Sequence, residues 1–314
     1  MRSPARGNKT MFFLTLWLIG VSLVAGVILL LLGMEDNLVL TLGITQVVGL
    51  LIPFLFYLLV TKQKHGQVLK WKPLGLKNAV LSVVITLAIL PMVQLISYLS
   101  SFIFVPAITV IFVDITLYPI WLMLIIAAVF PALFEEFHFR GAIYSDYEAV
   151  PIRKIAIITG VFFGIIHLNF HQSIYAGAIG VLLAYVLYFT RSIWAPILIH
   201  FVNNALSVAL SYSETYMAWA NEMTESPLTY LLIISGASLV MLPVLIFCLK
   251  NLKPHTNPEE PESLTTPRAA QETEALEEPI IEEKPKVYTW AFWWTIVLFI
   301  LFAGIMEIGL RAMY

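Results

Sequence analysis

Charged side chains are scarce in this sequence of 314 residues, of which 12% are charged and 60% are hydrophobic. A soluble globular domain is excluded, because so apolar a chain would leave too little polar surface to dissolve it. The formal net charge of -2 also gives no indication of a nucleic-acid partner. What the chain has instead are apolar runs of eighteen or more residues, and such runs predict membrane-spanning helices.

Cysteine is nearly absent as well, since Cys248 is the one cysteine of the chain and lies in an apolar run. An intrachain disulfide is therefore excluded. The N-terminus lacks the short apolar region and the small-residue cleavage site of a secretory signal peptide, because its apolar run extends from Met11 to about Leu32. We interpret this run as a retained first span.

About nine apolar stretches are long enough to cross a bilayer, which predicts an all-α, polytopic membrane helix bundle. They lie near residues 11–33, 38–60, 78–104, 116–139, 155–170, 173–190, 193–212, 228–249 and 288–310. Lysine and arginine collect in the N-terminal tail and in every second loop, whereas the turn at residues 34–37 is acidic. The positive-inside rule therefore predicts a cytoplasmic N-terminus. The lysine-rich loops favour the plasma membrane of a prokaryote.

Strongly polar side chains inside the predicted spans are few, and a buried ionisable group in a membrane usually marks a functional site. They are Gln46, Gln94, Glu135, Glu136, His167, His200, Asn203, Asn204 and Glu307. Residues three or four apart share one face of a helix, and three such pairs involve this set. The pairs are Glu136 with Arg140, Phe163 with His167, and His200 with Asn204.

Depth brings the same groups together. At helical rise, Glu135 lies roughly 13 Å, His167 roughly 18 Å and His200 roughly 10 Å below the cytoplasmic surface. Three helices can therefore present a carboxylate and two imidazoles within one layer of the bilayer. Two chemistries fit such a layer. In one, a glutamate activates water while imidazole and amide groups bind an oxyanion. In the other, the histidines and a glutamate bind zinc, although no His-Glu-x-x-His motif is present.

Three motifs, each on its own apolar helix, resemble in order the motifs of the CPBP family of intramembrane proteases. They are Glu135-Glu136-x-x-x-Arg140, Phe163-x-x-x-His167 and His200-x-x-x-Asn204. That family includes the type II CAAX prenyl endopeptidases and the bacterial Abi proteins linked to bacteriocin processing or self-immunity. The resemblance covers residues 116–212, about a third of the chain.

The resemblance implies an enzyme, an intramembrane peptidase (hydrolase) with a polar catalytic cavity open to the cytoplasm. It implies that Glu135 activates water with the help of His167, and that His200 and Asn204 form the oxyanion site. Glu136 and Arg140 would support Glu135, and Phe163 would shape the pocket. No metal is implied as obligatory, with zinc as the alternative. The implied substrate is a peptide or protein, either membrane-bound or prenylated. His138 and His171 match no motif position and are interpreted as structural.

The chain then divides into five predicted segments. Residues 1–115 form N-terminal transmembrane helices, 116–212 a CPBP-like catalytic core, 213–250 an outer loop and the eighth helix, and 288–314 a C-terminal transmembrane helix. Residues 251–287 contain nine glutamates, from Glu259 to Glu283, and no apolar period. Such a composition is typical of a disordered linker, here on the cytoplasmic side.

Two other function classes remain alternatives at this point. One is a non-catalytic membrane immunity or scaffold protein, in which the buried polar groups bind a partner. The other is an ion-coupled transporter, in which carboxylates and histidines form a relay. The sequence shows no repeated motif in two halves, which disfavours the transporter.

Overall fold

The computed structural model describes residues 2–106, 115–254 and 286–313, and every regular element within them is helical apart from short turns. The predicted linker at 251–287 falls almost entirely outside these residues. In chain order the helices are α1 Pro4–Leu31, α2 Leu38–Thr61, α3 His65–Leu69, α4 Leu76–Ser101, α5 Ile120–Asp146, α6 Ile152–Ile165, α7 Phe170–Thr190, α8 Trp194–Ser211, α9 Glu214–Glu225, α10 Pro227–Asn251 and α11 Trp290–Met313.

Eight of the described helices are long and apolar enough to cross a membrane, namely α1, α2, α4, α5, α7, α8, α10 and α11. The predicted all-α membrane bundle is therefore confirmed, with a count of eight in place of about nine. The difference lies in the span predicted at 155–170, which is the 14-residue helix α6. At 1.5 Å per residue this helix is about 21 Å long, shorter than the roughly 30 Å of a bilayer core.

Helix α6 is short because the chain turns before its apolar run ends. Leu168 adopts a left-handed conformation with a φ of 54°. The side chain of Asn169 then caps α7 by accepting a hydrogen bond from the backbone N–H of Gln172. The apolar sequence continues across this turn, so hydropathy alone extended the predicted span.

Four glycines let α6 and α7 pack closely as an antiparallel pair. Gly160 and Gly164 of α6 face Gly177 and Gly180 of α7. A Cβ atom on Gly180 would lie 2.9 Å from both the Cα atom of Gly160 and the Cβ atom of Phe163. Small residues at such positions allow two backbones in a membrane to approach. The close contact holds Phe163 and the following turn against α7.

Contacts between helix termini identify one end of the bundle. The start of α1 meets the end of α5, since Arg6 Nε donates to Asp146 Oδ1 at 2.8 Å. Likewise, the side chain of Asn78 at the start of α4 donates to the carbonyl of Lys253 after α10 at 2.8 Å. This end, which we call the basic end, carries Arg2, Arg6, Lys9, Lys62, Lys64, Lys70, Lys72, Lys77, Arg153, Lys154, Arg191, Lys250, Lys253 and Lys286.

Helix α2 contains a π-helical turn over Thr45–Leu51, in which the backbone N–H of Ile52 bonds to the carbonyl of Val47, five residues back. Pro53 follows, and a proline has no N–H to offer the carbonyl of Val48. The indole N–H of Trp17 on α1 donates to that carbonyl instead, at 2.9 Å. A carbonyl left without its helical donor is thereby satisfied.

Candidate active site

The two adjacent glutamates lie near the end of α5, between two π-helical turns at Ile125–Val129 and Phe137–Ile143. Glu135 is 6% exposed and Glu136 is fully buried. Single π turns within α-helices are frequent at functional sites because they change which face a side chain occupies. Helices α2, α6, α7 and α8 all pack around this part of α5.

Glu136 is the centre of a buried polar network. Arg140 donates from Nη1 to Glu136 Oε1 at 3.1 Å and from Nη2 to the carbonyl of Gly180 at 3.0 Å. His200 Nδ1 donates to the same Glu136 oxygen at 2.9 Å. Both the carboxylate and the guanidinium are fully buried, so each charge depends on the other for compensation. The network also fixes the imidazole of His200, with its Nε2 atom turned away from Glu136.

Glu135 accepts fewer hydrogen bonds than Glu136 does. Its Oε2 atom is buried, has no hydrogen-bond donor among the described residues, and lies 3.9 Å from His200 Nε2. Its Oε1 atom accepts a long hydrogen bond of 3.5 Å from the side-chain amide of Gln46 on α2. Glu136 Oε2 is likewise buried without a donor among the described residues. The two carboxylates differ at the other oxygen, because Glu136 Oε1 is bound to a cation and an imidazole whereas Glu135 Oε1 accepts one long hydrogen bond from an amide.

The ring of Phe163 brings the two predicted histidines together. Its centroid lies 5.4 Å from that of His167 and 5.6 Å from that of His200. The guanidinium carbon of Arg140 lies over the same ring at 4.6 Å, a cation–π contact. His167 Nδ1 donates to the carbonyl of Phe163 at 2.8 Å, which leaves its Nε2 atom without a proton in the neutral form. His167 also interacts electrostatically with Glu135 and with His200.

Asn204 lies one helical turn beyond His200 on α8. Its side-chain Nδ2 donates to the carbonyl of Ala127 in the first π turn of α5, at 3.2 Å. Pro131, four residues after Ala127, has no N–H to give to that carbonyl. The amide oxygen of Asn204 accepts from Asn203 Nδ2 at 3.1 Å. One of the two Nδ2 hydrogens of Asn204 is thus used to anchor α8 on α5.

The structure also shows contacts that sequence spacing did not indicate. Gln46 had no predicted partner and meets Glu135, and Glu307 accepts from the backbone N–H of Val105 at 3.1 Å. The signal for Gln46 was only a lone amide in an apolar run. His138 Nε2 donates to the carbonyl of Leu50 at 2.8 Å, and His171 Nε2 to that of Ser97 at 3.1 Å.

Zinc is the alternative chemistry for the side chains of this site. Structural and catalytic zinc sites use at least three protein ligands at about 2.0–2.3 Å. Within the described part of the chain, no group of three or more His, Cys, Asp or Glu side chains is placed to hold a metal ion.

The carboxylates lie in a closed part of the bundle. Glu135 and His200 are each 6% exposed. A shallow apolar groove of about 300 Å³ lies elsewhere, between α4 and α8, and is lined by Ala79, Val80, Val83, Val84 and Leu198. The predicted opening of the polar site to the cytoplasm therefore stays a prediction.

Comparison with known proteins matches the segment that holds the site. Residues 116–206, which span α5 to α7 and most of α8, match the family model "Type II CAAX prenyl endopeptidase Rce1-like". Over 90 residues the chain is 30% identical to "Putative membrane peptidase YdiL" of Bacillus subtilis (strain 168), which covers 28% of this chain and 37% of that protein. The matched part is thus little more than a third of this relative. No solved structure matches the chain significantly.

Proposed function

We propose that this membrane protein, whose central segment resembles the Rce1-like members of the CPBP protease family, is an intramembrane endopeptidase. One observation carries the proposal. The buried Oε2 atom of Glu135 has no hydrogen-bond donor in the described part of the chain and faces His200 Nε2 at 3.9 Å, while Glu136 holds that imidazole from the other side. A free carboxylate oxygen beside an oriented imidazole is a suitable pair for activating water and stabilising an oxyanion.

In the proposed reaction, Glu135 Oε2 takes a proton from water as the water oxygen attacks the peptide carbonyl carbon. The carbonyl oxygen becomes an oxyanion, which accepts hydrogen bonds from His200 Nε2–H and from the second Nδ2–H of Asn204. Since Nδ1 of His200 donates to Glu136, donation from Nε2 as well uses the imidazolium form of the ring. His167 Nε2 orients the water. The C–N bond then breaks, and the leaving amine receives the proton from Glu135.

We further propose that the basic end of the bundle, with the N-terminus, faces the cytoplasm of a prokaryotic cell. The distribution of lysine and arginine supports this orientation. A substrate segment would then approach from the cytoplasmic side, either as part of a membrane protein or carrying a prenyl group. Because the carboxylates are closed off, α5 and its neighbours must part to admit it.

The test compares peptides from membranes and culture medium of cells producing the wild type, Glu135→Gln, or the matched control Glu307→Gln. Mass spectrometry should detect cleavage products with the wild type and the control, and find them reduced by roughly 10²- to 10⁴-fold with Glu135→Gln. The control replaces another intramembrane glutamate, whose contact with Val105 an amide oxygen can retain. Equal product levels in all three strains, with equal amounts of inserted protein, would exclude the peptidase and favour a binding role.

We propose a metal-free reaction, and the lack of any group of three or more potential metal ligands among the described residues supports it. The peptide identified by mass spectrometry serves as substrate for purified protein treated exhaustively with a chelator. We expect activity to persist after metal removal and to be unchanged by added zinc. Loss of activity on chelation with recovery on addition of zinc would overturn this part of the mechanism.

A further inference from the structure

We infer that Gln46 on α2, which lies outside the segment matched by the family model, is a positioning residue for Glu135. The inference rests on the proposed function and deepens it. In this role the side-chain amide of Gln46 determines which oxygen of Glu135 acts as the base. The site is then completed by a helix that precedes the matched segment.

The contact with Glu135 has a specific geometry. Gln46 is 7% exposed, and its Nε2 atom donates to Glu135 Oε1 at 3.5 Å. Hydrogen bonds between catalytic groups are often long in the absence of substrate and shorten in the complex. A donor on Oε1 leaves Oε2, the oxygen nearer to His200 Nε2, as the one that receives the proton of water.

The backbone of α2 holds the amide in place from two sides. Gln46 lies in the π-helical turn Thr45–Leu51, to which Trp17 of α1 is bonded through the carbonyl of Val48. The same turn accepts a second hydrogen bond from α5, since His138 Nε2 donates to the carbonyl of Leu50 at 2.8 Å. Contacts at Gln46 and at Leu50 thus fix α2 against α5 on both sides of the turn. The π-helical turn that carries Gln46 is therefore held by α1 and by α5.

The second polar atom of Gln46 supports a functional role. Its Oε1 is buried and has no hydrogen-bond partner among the described residues. Leaving a buried acceptor unsatisfied is costly, so such atoms call for an explanation. This oxygen can accept the hydrogen of the attacking water that Glu135 does not take. Gln94, another intramembrane glutamine, is by contrast exposed and accepts from the hydroxyl of Tyr230 at 3.2 Å.

The kinetic test replaces Gln46 by methionine, which has similar length and no donor, and uses Gln94→Met as the matched control. The substrate is the cleavage-site peptide identified for the wild type. We expect Gln46→Met to lower kcat by roughly 10- to 100-fold with little change in KM, because it misplaces Glu135 without touching substrate. The control should retain the wild-type kcat. A rise in KM with kcat unchanged would overturn the positioning role.

A second measurement does not depend on catalysis and separates failure of this inference from failure of the proposed function. Infrared difference spectra between each protein and its Glu135→Gln counterpart isolate the carboxylate stretching bands of Glu135. Removal of the donor on Oε1 should shift these bands in the Gln46→Met background and leave them unchanged in Gln94→Met. Identical bands in both backgrounds would disprove the contact. A shift in a protein that cleaves no peptide would retain the contact and refute the peptidase.

Discussion

At the scale of single residues, the main free-energy cost of forming the site is the burial of the ion pair of Glu136 and Arg140. Both side chains are fully buried, and the guanidinium makes one hydrogen bond to the carboxylate and one to Gly180. Transfer of two charges out of water costs free energy, and their mutual attraction offsets this cost only when both charges are present. His200 adds a third group to this network, so the pair links stability to the orientation of a proposed catalytic side chain.

We predict that Arg140→Met destabilises the protein by about 3–5 kcal/mol, because it leaves the carboxylate of Glu136 buried without its cation. The double variant Glu136→Gln with Arg140→Met should be more stable than this single variant, since the amide oxygen can still accept from His200. Thermal unfolding in detergent measures both effects. The control is Arg311→Met, whose pair with Glu307 is 58% exposed on the arginine side and should contribute less than about 1 kcal/mol. Equal unfolding temperatures for both arginine variants would contradict the prediction.

At this scale, sequence spacing predicted which residues of one helix share a face, because residues four apart lie on the same side of an α-helix. The interval between Phe163 and His167 predicted a shared helix face, and their rings lie 5.4 Å apart. The depth estimate placed His200 in the same layer, and its ring lies 5.6 Å from that of Phe163. Spacing says nothing about which residues meet across helices, so the partners of Gln46 could not be predicted. Nor could it rank two adjacent glutamates, whose different partners depend on α8 and α2.

At the scale of elements, the glycine contacts between α6 and α7 determine where Phe163 and His167 lie. Gly180 contributes twice, because its lack of a side chain admits Gly160 and Phe163 while its carbonyl accepts from Arg140. Separation of these helices would therefore disturb both the aromatic ring beneath the histidines and the buried cation.

We predict that Gly164→Ala destabilises the protein by about 1–3 kcal/mol, because its Cβ atom would collide with the backbone carbonyl oxygen of Ser173 and force the helices apart. Gly236→Ala in α10 is the control, since a Cβ atom there meets no neighbour within 4 Å. The control should be neutral or stabilising by up to about 1 kcal/mol, through better helix propensity. Melting curves of the two purified variants decide the matter, and a stable Gly164→Ala protein would show that α6 can shift without cost.

Element boundaries were harder to predict than element type. The long helices follow from apolar runs, but the length of α6 depends on the conformation of Leu168 and on the cap at Asn169, both within apolar text. The π turns were also not predicted. Two of the three lie beside prolines, Pro53 and Pro131, whose missing N–H groups leave carbonyls for Trp17 and Asn204 on other helices.

At the scale of the whole molecule, the two ends of the bundle differ in charge. Arg6 with Asp146 and Asn78 with Lys253 show that distant parts of the chain share the basic end. Sequence analysis predicted that lysine and arginine collect in every second loop, because the charge of a loop can be read from its own residues.

We predict that Lys64→Cys reacts with a membrane-impermeant maleimide only after the cells are opened, whereas Glu214→Cys reacts in intact cells. Both positions are exposed and lie at opposite ends of the bundle. Replacing the one native cysteine by Cys248→Ser provides the background for labelling. The reverse pattern would place the basic end outside and would require a substrate that approaches from that side.

The π-helical turns have a consequence for how this chain tolerates insertions and deletions. A turn closed by bonds five residues apart holds one residue more than an α-helical turn, which amounts to a single insertion in an otherwise regular helix. Deleting one residue within Phe137–Ile143 could restore an α-helix, but everything beyond it would rotate by about 100°. Asp146 would then turn away from Arg6 although neither residue had changed. In α5, therefore, the number of residues between two groups is constrained as tightly as their identity.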